Sequence, residues 1–156
     1  MKTLITPSEV ISLAFGSPNT LSESAVPPYA ILSAEESFLL PVLGREFYER
    51  LREKRNNTDE QRLLADYLAQ PLALYVASRL LPSIALQVGS AGVVRLSGES
   101  FEAADEMALR RAVSRLRADA DRLLARALDY AASHPELYPS YNPAQRLHRI
   151  VGGVVM

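Results

Sequence analysis

The sequence predicts an all-α fold: a compact bundle of about five helices, with a Gly-rich loop or small β-hairpin before a long final helix and an extended C-terminal tail. Three observations predict it. Apolar residues recur at steps of three and four over most of the 156 residues. Serine, threonine, proline and acidic residues stand where helices begin. Glycine clusters in one stretch near the middle, between two helical blocks. The chain length suits one domain, and the expected division is a helical domain over 1–143 and an apolar tail over 144–156.

The elements follow in order. Thr6-Pro7-Ser8-Glu9 is a helix start, with Thr6 as cap, Pro7 at the first helical position and Glu9 closing a capping box. A short helix to about Phe15 ends at Gly16-Ser17-Pro18-Asn19-Thr20. A second helix runs from about Pro28 to Leu40. Ile31, Ala34, Phe38 and Leu39 form its stripe, and Glu35 is the one polar member. Pro41 is expected to break this helix, because its ring crowds the carbonyl of Ser37 and it offers no N–H. After Gly44 a third helix continues to about Arg55, with Leu43, Phe47, Tyr48 and Leu51 inward and Arg45, Glu49, Arg52 and Glu53 outward.

Thr58-Asp59-Glu60-Gln61 reads as a second capping box. The helical pattern from 59 to about 87 places Leu64, Tyr67, Leu68, Leu72, Tyr75, Val76 and Leu80 on helical spacing, and Pro71 and Pro82 are expected to kink or split it. Arg79 is the only charge between Pro71 and Arg95, so this segment is expected at the centre of the domain. Residues 88–99 (VGSAGVVRLSGE) read as a loop or small hairpin around Val93–Leu96. The final helix, from about Ser100 to Ser133, carries Phe101, Ala104, Ala108, Ala112, Leu116, Ala120, Leu123, Ala127 and Tyr130 along one stripe. Six arginines and six acids fill its other faces, the pattern of a solvated helix surface laced with ion pairs. The stretch ELYPSYNP, which begins at Glu136, is not helical by composition.

Composition narrows the function classes. A net charge of -1 is unlike the basic excess of a general nucleic-acid binder. The absence of cysteine removes disulfides, thiolate metal sites and cysteine nucleophiles together. No apolar run reaches the roughly 20 residues that span a bilayer. Pro7 and Glu9 interrupt what would be a signal-peptide core, so a cytoplasmic protein is expected. Glu35, Glu36 and Asp66 are the strongest candidates for acid–base chemistry, but adjacent helix residues diverge by about 100° and do not share a face. Gly89, Gly92 and Gly98 lack the Gly-Lys-Ser/Thr ending of a phosphate loop. No catalytic, metal or cofactor site is expected. Residues 41–56 hold five bases against three acids, which reads as a solvated face. The tail Ile150-Val151-Gly152-Gly153-Val154-Val155-Met156 has no charge and strong β propensity, so it either folds back on its domain or joins a neighbouring chain. Tyr130, Tyr138 and Tyr141 beside it favour a packed role.

Four features in order resemble a known family: Thr6-Pro7-Ser8-Glu9-Val10; Ala34-Glu35-Glu36-Ser37-Phe38 through Pro41-Val42-Leu43-Gly44 and Phe47-Tyr48-Glu49-Arg50-Leu51; the apolar Leu72–Leu86 helix; and the loop with Gly89 and Gly92 before a long helix. Over residues 6–140 the chain resembles the small α-helical head–tail connector, or head-completion adaptor, proteins of tailed phages and prophages. The resemblance implies a non-enzymatic virion structural protein assembled in the bacterial cytoplasm. It implies a homo-oligomeric ring between portal and tail proteins, in non-specific proximity to DNA and without membrane contact. On that reading the candidate oligomer or partner interface comprises Gly89, Gly92, Val93, Val94, Arg95 and Leu96, with Arg95 facing a subunit or DNA. Ile150, Val151, Val154 and Val155 of the tail complete it as a candidate interlock. The alternative is a helical partner-binding module of a bacterial, non-virion protein, acting through its apolar tail.

Overall fold

The computed structural model describes residues 2–16, 21–53, 57–91 and 99–144, with backbone alone for 86–91 and 99–105. Among these residues the chain is helical, without strands: α1 (Pro7–Phe15), α2 (Pro28–Ala34), α3 (Leu40–Leu43), α4 (Arg45–Glu53), α5 (Thr58–Leu63), α6 (Ala69–Ala91) and α7 (Glu99–Ala132). Wide π turns at Glu35–Leu39 and Leu64–Leu68 join α2 to α3 and α5 to α6. The seven segments thus form five continuous rods among the described residues, as the apolar periodicity predicts.

Helix α1 begins as its sequence dictates. The Thr6 side chain accepts from the Glu9 N–H, and Glu9 accepts in return from the Thr6 N–H at 2.6 Å. Helix α5 begins one residue earlier than expected. Asn57 is its cap, its Oδ1 accepting from the N–H groups of Asp59 and Glu60 at 3.0 and 3.1 Å. Asn reaches those two donors directly, so Thr58 enters the helix as its first residue.

The prolines do not break the rods. Leu40 N–H bonds to the Glu35 carbonyl and Ala69 N–H to the Leu64 carbonyl, each five residues back. The ring of Pro41 would crowd the carbonyl of Ser37, and that of Pro71 the carbonyl of Tyr67. Both carbonyls lie inside a wide turn, which gives the ring room. The chain turns instead at Gly44, whose φ of 82° and ψ of 152° belong to a region that only glycine visits freely. Pro82 also sits inside α6 without ending it.

Helix α6 forms the centre. Every residue from Pro71 to Ser78 is buried, as the near absence of charge there predicts. It packs against α7, α1 and α2. Phe38, Leu43, Phe47, Tyr48, Leu51 and Leu68 all enter the core. Among the described side chains of α7 the buried ones are Ala120, Leu124, Ala127, Leu128 and Ala131. Leu123 and Leu116 are half-buried, and Ala108 is exposed. An alanine-rich stripe leaves the phase of a helix loosely marked, and the leucines one position on decide it.

Candidate functional site

The expected contact loop is shorter than its sequence suggests. Helix α6 continues through Ala91 and α7 begins at Glu99, so Val88–Ala91 and Glu99 are helical and Gly89 belongs to α6. One glycine costs a helix only about 1 kcal/mol, which lets α6 run on beyond it. Gly92, Val93, Val94, Arg95 and Leu96, with the hairpin expected over Val93–Leu96, lie outside the described residues. So do Ile150, Val151, Val154 and Val155.

The carboxylates singled out as acid–base candidates have unlike surroundings. Glu35 is fully buried, whereas Glu36 is exposed. Glu35 Oε1 accepts from the Leu4 N–H at 2.5 Å and Oε2 from the Tyr48 hydroxyl at 2.7 Å. Burial pushes the Glu35 carboxyl above its ordinary range, against the opposing effects of the Leu4 N–H, the Tyr48 hydroxyl and the Arg52 charge. Burial, together with the bond to Glu35, also pushes the Tyr48 phenol upward. Arg52 Nε donates to the Lys2 carbonyl at 3.0 Å. These bonds fasten the segment before α1 to the first π turn and α4.

The basic run in α4 has a structural member. Arg50 donates to Glu60 Oε1 at 2.8 Å through both Nε and Nη2. Glu60 is buried, and among the described residues its Oε2 has no hydrogen-bond partner. Arg50 therefore neutralises a charge that the α4–α5 corner encloses. Arg45 and Arg52 both lie near Glu49 on the solvated side, as expected.

Asp66 lies elsewhere, on a cleft of about 220 Å³ lined by Asp66, Tyr67, Gln70, Pro71, Leu123 and Arg126. Neither Glu35 nor Glu36 reaches it. The cleft is below the roughly 300–1,000 Å³ usual for small-molecule sites. Behind it runs an aromatic ladder. Tyr67 stacks on Tyr130 at 4.3 Å, Tyr130 meets His134 and Tyr138, and Phe47 meets Tyr138 and Tyr141. Tyr138 donates to the Asp59 carbonyl at 3.3 Å, and its phenol is pushed up to about 12, chiefly by burial and then by Tyr130. These tyrosines pack inside the fold, where they hold the turns after α7 against α4 and α5; the packed role they favoured for the tail falls outside the described residues.

Among the described residues no group of three or more His, Asp or Glu is placed to hold a metal ion, and no helix is long and apolar enough to cross a membrane. No curated protein and no solved structure matches the chain. A family model matches residues 39–149, from the end of the first π turn to beyond the tyrosine turns. That span covers most of the chain, which accordingly belongs to DUF6712, a family of unknown function.

Proposed function

We propose that this protein is a non-enzymatic virion structural protein of the head–tail connector kind, forming a ring between portal and tail through which DNA passes. The observation that carries the reading is the order of helical rods: a capped opening helix, a rod turning at Gly44 into a second, a buried apolar rod, and a long final helix. That order is the one on which the resemblance rests. On this reading residues 88–99, Gly89 included, and the 144–156 tail serve as contacts to neighbouring subunits, portal or tail proteins, and Arg95 faces a subunit or DNA.

Electron microscopy of purified protein mixed with portal complexes tests the proposal. A ring seated on the portal is the expected image. Portals that stay bare at high protein concentration would sink it. Portal, capsid and tail genes on either side of the coding sequence are the expected genomic setting.

A further inference from the structure

Arg79 and Arg117 come from different helices to one ring. The guanidinium carbon of Arg79 lies 4.8 Å from the centroid of Phe38, and that of Arg117 lies 4.6 Å from it. Tyr75 stacks on Phe38 at 4.1 Å and 4°. Tyr75 thus covers one face of the ring. Their distances to a shared centroid keep the two guanidinium carbons under about 10 Å apart, within roughly one Debye length at 0.1 M salt. Both arginines are exposed, and among the described residues neither has a carboxylate within ion-pair distance. Arg79 donates to the Ser33 hydroxyl at 2.8 Å. Asp121, one turn after Arg117 on α7, accepts from the Tyr75 hydroxyl at 2.5 Å.

Two like charges drawn onto one aromatic ring repel each other. The ring attracts each of them, and an oxyanion placed between two guanidinium forks would relieve what repulsion remains. We propose that Ser33, Arg79 and Arg117 form a docking point for a carboxylate side chain on an acidic segment of a partner protein. The surroundings favour a protein over nucleic acid. A phosphate backbone calls for an extended basic tract, whereas α7 mixes its arginines, exposed Arg111 and Arg115 among them, with at least as many acids and pairs Arg110 and Arg122 with Glu106 and Asp119. Tyr29, 67% exposed, stands one turn before Ser33 on the same face of α2. Tyrosine beside arginine is the usual make-up of a protein-binding hot spot. The surface does not depend on ring assembly and would stand if the connector reading fell.

Titration of the full chain with hexaglutamate, followed through the arginine Nε–H signals in NMR, tests the proposal. The Arg79 and Arg117 signals should move and saturate together. The Arg79→Gln/Arg117→Gln variant should bind at least tenfold more weakly with its helical circular dichroism unchanged. Arg79→Lys/Arg117→Lys keeps both charges and loses both forks, so it should weaken binding severalfold; it carries the test if the first variant unfolds. Affinity within twofold of the parent in the variant that stays folded overturns the proposal. So does a short DNA duplex, or inorganic phosphate, that binds as tightly as hexaglutamate at matched ionic strength.

Discussion

The two halves of the α6–α7 pair differ sharply. In the inner half, Pro71–Ser78 is buried on every side, and α7 faces it with Ala120, Leu124, Ala127 and Leu128, all buried. In the outer half, Ile84 is the one buried residue between Arg79 and Ala85, and nothing from Glu106 to Asp119 on α7 is fully buried. The same two helices run through both halves; what changes is their cover. Helices α1 and α2 also pack on α6; the π turn after α2 lays Phe38 on Tyr75 in the inner half, and Ser33 of α2 meets Arg79 where the halves join. A helix pair becomes a core when a third layer closes it, and otherwise remains an accessible surface.

Truncations across this boundary should separate the halves. Leu72→Ala, in the inner half, should cost about 2–5 kcal/mol in denaturant unfolding. A loss below about 0.5 kcal/mol would erase the distinction. The cover has its own weak points. Arg50→Ala leaves Glu60 charged and enclosed, and should cost on the order of 2–3 kcal/mol, short of the full penalty for a buried pair because Arg50 keeps some solvent. Gly44→Ala forces a side chain into the conformation that turns α3 into α4, at about 1–3 kcal/mol, read as a lower melting temperature.

Glu35 sharpens the comparison through pH. Its folded-state pKa is raised, so above the ordinary carboxylate value of 4.5 the unfolded chain releases a proton that the folded chain retains. Stability contributed at this site is therefore complete below that value, and declines as pH rises from there through the raised pKa. Glu35→Gln should flatten the decline, so that its stability relative to the parent improves with pH. Parallel profiles for parent and variant would exclude the shift. The smallest effect belongs to the outer half. Leu116→Ala should change stability by less than about 1 kcal/mol, nearer a surface site than a core one.

Much of this arrangement is legible in the sequence. The near absence of charge after Pro71 marks the buried rod, and the phase of Phe38, Phe47 and Leu51 marks the inner faces of the cover. Glu35 and Glu36 separate as their helical angle requires. Pro41 and Pro71 misled because a π turn leaves no trace in an apolar pattern, yet decides whether a proline ring has room. Asn57 displaced Thr58 as cap because both are good caps, and backbone geometry made the choice. Leu124 and Leu128 were hidden by an alanine stripe compatible with two phases. The meeting of Arg79 and Arg117 on Phe38 joins residues far apart in the chain, and periodicity within a single helix cannot show it.

The wide turn at Leu64–Leu68 has a consequence well beyond making room for Pro71. It acts as a one-residue insertion within a helix, so every residue after it points about 100° round from where an unbroken α-helix would aim it. The direction in which Tyr75 and Arg79 face is thus inherited from a turn earlier in the chain. Closing that turn would leave α6 helical and still apolar, yet would swing Tyr75 off Phe38 and draw Arg79 away from Arg117. The outer surface is set from the inner end of the rod, much as the angle of a key's teeth is set at its bow.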